Sequence, residues 1–378
     1  MCAGLQAASL AALAVFYPAR VVYLTGFHHI PTERPIALLL GGGGRSVLVV
    51  PAVEKEHAES VPGLDAVEVY FEYPGDRHPM RRVAEALESL AGNGRIAADH
   101  DGVVPYWGYR GPRLSDLLDE RPADGEMLVE SLRRVKSPAE LECIQASCRW
   151  GARAHRRMQE AIRPGLTEME CYQPAAVESL REMIREMPGW RPRGFDGSGL
   201  TASFVGGRST AMPHGFVRGH GIQPGDVLVS GAGVDIDGYL SELERTMIVG
   251  EPTPQQEAAF ADMLALQSRA IEVIAPGLPV AEVEREVVRL AGELGQKANL
   301  RHHVGHSIGL EGHEAPFLDR GDDAVCQPGM VFTVEPGVYL PELGGFRHSD
   351  TVCVTEDGCS VMTDYPRQLR DLVVPVPG

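Results

Sequence analysis

One phrase occurs twice in this chain and constrains its fold more than any other feature. Ile162-Arg163-Pro164-Gly165-Leu166 stops one helical pattern and opens another, and Ile274-Ala275-Pro276-Gly277-Leu278 does the same 112 residues later. Before the first copy, Ser137 is a good N-cap, Pro138 suits the first helical position and Glu140 completes a capping box, so a long helix should run from there to Ile162. Thr167 with Glu170 starts the next helix. Before the second copy, Thr253-Pro254-Gln255-Gln256 caps a helix that ends at Ile274, and a further helix follows from Val280. Each helix pair leads into glycine-rich, strand-like sequence. The repeated grammar implies two related half-domains.

The first third reads differently. Val21-Val22-Tyr23-Leu24, Ile36 to Leu40 and Ser46 to Val50 are β-rich, and Arg81 to Leu90 and Arg113 to Leu118 have helical spacing. The glycine run Gly41 to Gly44 reads as a hairpin loop, because no helix pattern follows it as a phosphate loop requires. This is a small α/β domain. Its boundary falls in residues 121–136, where Pro122, Asp124 and Gly125 precede a charged stretch ending at Lys136. The expected division is 1–130 and 131–378.

Composition excludes several classes of function. With 35 basic and 52 acidic residues the net charge is −17, which repels phosphate backbones and anionic lipid. Neither nucleic acid nor membrane is an expected partner; a small cationic or zwitterionic substrate is. Seven cysteines without a CxxC pair argue against a disulfide framework and a thiolate zinc site, and suggest reduced cytosolic thiols. The apolar start, Ala3 to Phe16, lacks the basic flank of a signal peptide, and no apolar run approaches 18 residues. The expected location is cytoplasmic.

The chemistry-bearing residues fall in the second half, on five glycine-bracketed segments: Met212-Pro213-His214-Gly215; Val227 to Gly233 with Gly238 to Thr246; His302 to Pro316; Phe332 to Gly337; and Gly344 to Asp350. Six of the 13 histidines lie at 214 or between 302 and 348. Histidine beside carboxylate serves both general acid–base chemistry and hard-metal binding. Any one of these histidines is more simply a hydrogen-bonded core residue. The set as a whole is harder to read as surface.

Gly305-His306-Ser307-Ile308-Gly309-Leu310, His313-Glu314-Ala315-Pro316 and Glu335-Pro336-Gly337, in this order, resemble the creatinase, prolidase, aminopeptidase P and methionine aminopeptidase family. Tyr23-Leu24-Thr25-Gly26 and Glu33-Arg34-Pro35 resemble its N-terminal domain more loosely. The resemblance implies an α+β fold: a C-terminal pita-bread domain, in which a curved antiparallel sheet with pseudo-twofold symmetry is flanked by helices, and a smaller N-terminal α/β domain. It also implies a homodimer.

The resemblance further implies five ligands for two metal ions, and here the chain departs. Gly231 stands at the first aspartate position, Glu242 at the second, His306 at the histidine, Glu335 at the first glutamate and Ser349 at the last. Glycine has no donor atom and serine is a poor bridge. No metal cofactor is therefore expected, and a single divalent ion on Glu242, His306 and Glu335 is the most the set would hold. Glu244, within Leu243-Glu244-Arg245-Thr246, resembles the guanidinium-binding glutamate of creatinase, the metal-free member. His214 matches its catalytic histidine, and Arg34 a carboxylate-binding arginine. Phe317 and Ser349 do not match its remaining substrate-binding positions, so creatine itself is not the expected substrate.

On this reading His214 transfers the proton and His313 hydrogen-bonds the carbonyl or the tetrahedral intermediate. Glu244, Glu335, His306 and Arg34 bind substrate. Two converging carboxylates repel unless a cation enters, and a substrate amine or guanidinium would supply it. The plainer role for Glu244 is an ion pair with Arg245 or a neighbouring strand. The expected activity is metal-independent hydrolysis of a C–N bond in a small amino-acid-like or dipeptide-like substrate. The alternatives are a metal-dependent Xaa-Pro dipeptidase or aminopeptidase with an altered site, and an inactive binding scaffold.

Overall fold

The computed structural model describes residues 1–72, 75–103, 108–194 and 199–376. The chain divides into two units, Met1–Arg133 and Arg134–Gly378.

The first unit runs α1 (Cys2–Ala7), β1 (Ala12–Val15), α2 (Pro18–Thr25), β2 (Ala37–Gly41), β3 (Ser46–Pro51), α3 (Lys55–Glu59), β4 (Ala66–Tyr70), α4 (Pro79–Ala91), β5 (Ile96–Ala98), β6 (Ala123–Asp124) and α5 (Glu126–Arg133). Its sheet has the order β4-β3-β2-β1-β5-β6, antiparallel at β1, β2 and β3 and parallel outside them. Alternate residues of the central strands enter two cores. Ala12, Ala14 and Leu39 face α4, while Leu13, Val15 and Leu38 join Val21 and Val129 on the other side. A sheet covered on both faces needs strands that are apolar throughout, as β1 is. The glycine run closes the β2–β3 hairpin as expected.

Two local expectations are corrected. Val21 to Leu24 is helical, not a strand. Pro18 fixes the first turn of α2, Gly26 ends it at φ 71°, and buried Arg20 anchors it on Asp99, Glu126 and Glu130. Tertiary burial overrides the β-propensity of valine here. Arg113 to Leu118 gives only a 3₁₀ turn at Leu114–Asp116, because Asp116 caps it back on the Arg113 amide and leaves too little chain for a regular helix.

The second unit runs α6 (Pro138–Ala161), α7 (Glu168–Glu186), β7 (Leu200–Gly206), β8 (Val227–Val234), β9 (Leu243–Val249), α8 (Pro254–Val273), α9 (Val280–Glu293), β10 (His306–Ser307), β11 (Glu314–Phe317), β12 (Val331–Val334), β13 (Gly337–Leu340), β14 (Gly344–Arg347), β15 (Ser349–Val354), β16 (Cys359–Val361) and β17 (Val373–Val374). Ser137, Thr167 and Thr253 each cap their helix with a reciprocal bond from the third residue, as their spacing predicts. The curled main sheet has the order β11-β10-β12-β15-β9-β8-β7 and is antiparallel along this path. Helices α6 and α7 pack on β7, and α8 packs on β12. One continuous core, from Met158 and Phe204 through Met247 to Phe332 and Val352, lies between helices and sheet. The opposite, concave face carries the polar residues considered next. Among the described residues no helix is long and apolar enough to cross a membrane.

Candidate active site

Strand register assembles the site. Gly231 on β8 pairs with Glu244 on β9, and Glu244 pairs with Ser349 on β15, so these three residues share one rung of the sheet. Alternation along β9 sends Arg245 to the other face. There it is fully buried and bonds Asp350 at 2.7 Å, while Gln267 and Thr363 complete the network around Asp350. Glu242 is two residues before Glu244 and shares its face. Glu335 follows β12, and His306 opens β10. His306 sits where it does because Gly305 lets the chain approach β12: a Cβ there would lie 2.0 Å from the carbonyl oxygen of Thr333.

Glu242, His306 and Glu335 each direct a ligand atom to one point, and these atoms lie within 4.8 Å of one another. Ser349 Oγ donates to Glu242 Oε1 at 2.7 Å. His306 Nδ1 lies 3.0 Å from the Ser307 carbonyl oxygen, which accepts its N–H. Nε2 lies 3.1 Å from Glu335 Oε1, yet off the axis of a hydrogen bond, and is left as a buried atom without an aligned partner. Burial, then the nearby Glu335 and Glu244, push Glu242 up to about 8. Burial works against charge on His306 as well, but Glu335 and Glu242 outweigh it and raise its pKa. Glu335 is buried too, yet His306 and Arg347 hold it down at about 2. A divalent cation at this point would offset the same carboxylate repulsion that raises Glu242. The donors fit one ion. They do not fit two, since Gly231 and Ser349 bring no carboxylate to the neighbouring rung.

Arg347 is the residue that sequence reasoning missed. It makes a two-pronged ion pair with Glu244, through Nε to Oε2 and through Nη2 to Oε1 at 2.7 Å. Its Nε lies 3.8 Å from Glu335 Oε2, and Nη1 donates to the Pro213 carbonyl at 2.9 Å and the Tyr339 hydroxyl at 3.1 Å. Burial opposes its charge, but Glu244 more than compensates and holds the guanidinium well above its ordinary value. Burial still raises Glu244 despite that partner. A cation therefore already lies between Glu244 and Glu335, from a neighbouring strand rather than from Arg245. The missed signal was Arg347 itself, which stands two residues before Ser349 in a segment already singled out.

His302 and His313 lie beside this core, whereas His348 is buried on the other face against Phe260. The His313 ring stacks on His306 with centroids 3.7 Å apart and planes 18° off parallel. Burial, then His306, lowers the His313 pKa, and His214 is close enough to contribute. His302 Nε2 lies 2.8 Å from the Tyr339 hydroxyl. Beside His313, buried Glu314 pairs with Lys136 at 3.0 Å, and Lys136 also reaches Ser307 Oγ at 3.2 Å, which ties the strand carrying His306 to the segment carrying His313. A cavity of about 160 Å³ opens beside the Glu244–Arg347 pair, lined by Phe204, Val229, Gly231 and Tyr339 among others. A Cβ at Gly231 would lie 3.7 Å from Glu244 Oε1, an ordinary contact, so a side chain at this position would stand directly beside that carboxylate. Glu242, Glu244, His306 and Glu335 thus converge, His313 stacks on His306, and His214 stands exposed within electrostatic reach of His313. Arg34 belongs to the first unit, where it pairs with Glu33 at 2.7 Å and Glu72 at 3.2 Å.

A curled antiparallel sheet with a histidine–carboxylate cluster on its concave face, in a chain that also has a separate α/β unit, defines a hydrolase of the pita-bread class. The profile of metallopeptidase family M24 matches residues 142–356, and that of the creatinase/prolidase N-terminal domain matches residues 3–135. The chain belongs to this creatinase and Xaa-Pro peptidase family of C–N hydrolases. It is 33% identical over 242 residues to the Xaa-Pro dipeptidase of Pyrococcus furiosus, an alignment that spans 64% of this chain and 66% of that one. It is 27% identical to a putative dipeptidase, YkvY, of Bacillus subtilis over 92% of each chain. The crystal structure of dipeptidase PepE from Mycobacterium ulcerans superposes with a TM-score of 0.85 at 28% identity, covering 99% of this chain and 96% of that one. The N-terminal domain of the FACT subunit SPT16 from chickpea, at 15% identity and a TM-score of 0.76 over 98% and 96% of the chains, shows a likeness of fold alone.

Proposed function

We propose that this protein hydrolyses the C–N bond of a dipeptide-like substrate at a site that holds a single divalent ion on Glu242, His306 and Glu335. The observation that carries the reading is His306 Nε2, buried without an aligned partner and facing two carboxylates. An ion bound there supplies polarisation of the scissile carbonyl and activation of a water molecule. The chain's own groups do the rest. Ser349 fixes the Glu242 carboxylate, and the Ser307 carbonyl keeps the hydrogen of His306 on Nδ1. Arg347 neutralises Glu244, so no substrate cation is needed at that carboxylate. His313, half-exposed over His306, presents its ring edge to the carbonyl oxygen as charge develops. His214 gives a proton to the leaving nitrogen. The printed names of the relatives support Xaa-Pro dipeptides as the first substrates to test.

A second reading, metal-independent hydrolysis of a creatinase-like kind, is favoured by Gly231 and Ser349 at ligand positions and by Arg347 as a built-in cation beside Glu335. Elemental analysis with Mn²⁺ titration, beside turnover of Xaa-Pro dipeptides and of guanidino substrates with and without chelator, separates the two. We expect one ion per chain and turnover that chelator abolishes and Mn²⁺ restores. Chelator-resistant turnover selects the second reading, and two ions per chain contradict both. The family resemblance further leads us to expect a cytoplasmic homodimer, which sedimentation and fractionation would check.

A further inference from the structure

Glu168 is completely buried, and none of the chemistry above uses it. It is the first residue of α7, but α7 does not need it as a cap. Thr167 and Glu170 already satisfy that end, with Glu170 Oε2 accepting from the Thr167 amide at 2.8 Å. The Glu168 carboxyl turns instead to the loop beyond β7. Its Oε1 accepts from the Gly206 amide at 2.8 Å. Its Oε2 accepts from the amides of Arg218 at 3.1 Å, Gly219 at 3.0 Å and His220 at 3.1 Å. Four backbone donors fill the acceptor sites of one carboxylate, which is what makes its burial affordable.

Gly206 and His220 bracket the segment that carries His214, so one side chain closes both ends of that loop. The middle is held from the opposite side. The Gly345 amide donates to Thr210 Oγ1 at 2.9 Å, an approach that only glycine permits, since a Cβ there would lie 1.9 Å from the Thr210 carbonyl oxygen. Arg347 Nη1 donates to the carbonyl of Pro213, the residue before His214. Between these ties the His214 side chain is exposed, as are Met212 and Phe216. Its position is therefore set by its backbone rather than by packing around its ring.

We propose that Glu168 is a positioning residue: it pins the base of the 206–220 loop and thereby holds His214 at the reacting nitrogen. This rests on His214 as the proton-transfer group of the proposed function. An error of about 1 Å in such a group costs on the order of 10²-fold in rate.

The test is Glu168→Gln, which keeps the volume but turns one acceptor into a donor facing N–H groups, with Glu168→Asp as a second variant should the first fail to fold. Hydrogen exchange, which needs no substrate, should rise by about tenfold or more at residues 206 and 218–220, as loss of a charge-assisted hydrogen bond predicts, and stay unchanged in β9 and β12. With an Xaa-Pro dipeptide, kcat should fall by about 10²-fold with KM little changed, and the same substitution should cost almost nothing further in a His214→Ala background. Unchanged exchange, exchange raised equally throughout the sheet, or the same loss of rate in both backgrounds overturns the proposal. A His214→Ala protein with the wild-type rate overturns the functional reading of His214, and the exchange measurement then decides the clamp by itself.

Discussion

Arg347 does the most at the scale of single residues. It joins Glu244, Glu335, Tyr339 and the backbone that leads to His214, and it is largely buried, with 11% of its side chain exposed. Removing one member of a buried pair leaves the other uncompensated, at a cost of about 3–5 kcal/mol. Arg347→Met should lower the urea midpoint accordingly, and a Glu244→Gln change in the same chain should recover part of the loss. A single variant as stable as wild type would show that Glu244 finds another partner. His214 behaves oppositely, since its exposed ring carries no packing. His214→Ala should melt within about 0.5 kcal/mol of wild type, as surface changes usually do. It should lose about 10²–10⁴-fold in kcat on an Xaa-Pro dipeptide, the usual worth of one acid–base group. Equal kcat in the two proteins would remove it from the mechanism.

At the scale of elements, the three capped helices explain why the repeated phrase was so informative. Ser137, Thr167 and Thr253 accept from the third residue, which bonds back to the cap amide. Thr253→Ala should cost about 1 kcal/mol, read from denaturant midpoints at unchanged slope. Gln256 also reaches the Gly225 carbonyl at 2.8 Å, so replacing it should cost more than its share of the cap. Strands were harder. Short β10 and β13 have no periodicity to reveal them, and α2 was concealed by its valines. Helix signals are local side-chain to backbone bonds, whereas strand pairing is decided by residues far away in sequence.

For the whole molecule, a ligand that binds only the folded state stabilises it. Mn²⁺ at about 100 times its dissociation constant should add about 2.7 kcal/mol and raise Tm, and the increment should vanish in Glu242→Ala. A Tm indifferent to Mn²⁺ would argue for the metal-independent reading. Because the chain comprises two units with their own cores, the shift should be sought in the transition of residues 134–378 rather than in a single averaged Tm.

The sequence by itself determined the helix pairs, the glycine-bracketed segments and the family, and it singled out His214, Glu242, Glu244, His306, His313 and Glu335 as candidates for the site. Each of these rests on signals within a few positions: caps, Pro-Gly stops, and motifs such as Gly305-His306 and Glu335-Pro336-Gly337. Only the tertiary structure decided which charges meet. Glu244 could have paired with the arginine beside it, but the alternation of β9 sends Arg245 to the far face, and β14 brings Arg347 from 103 residues away. Glu168 is likewise invisible in sequence, where it is one more acid in the first turn of a helix. Its four donors come from residues 38 to 52 positions on, and they converge only because β7 and the His214 loop fold back over the start of α7.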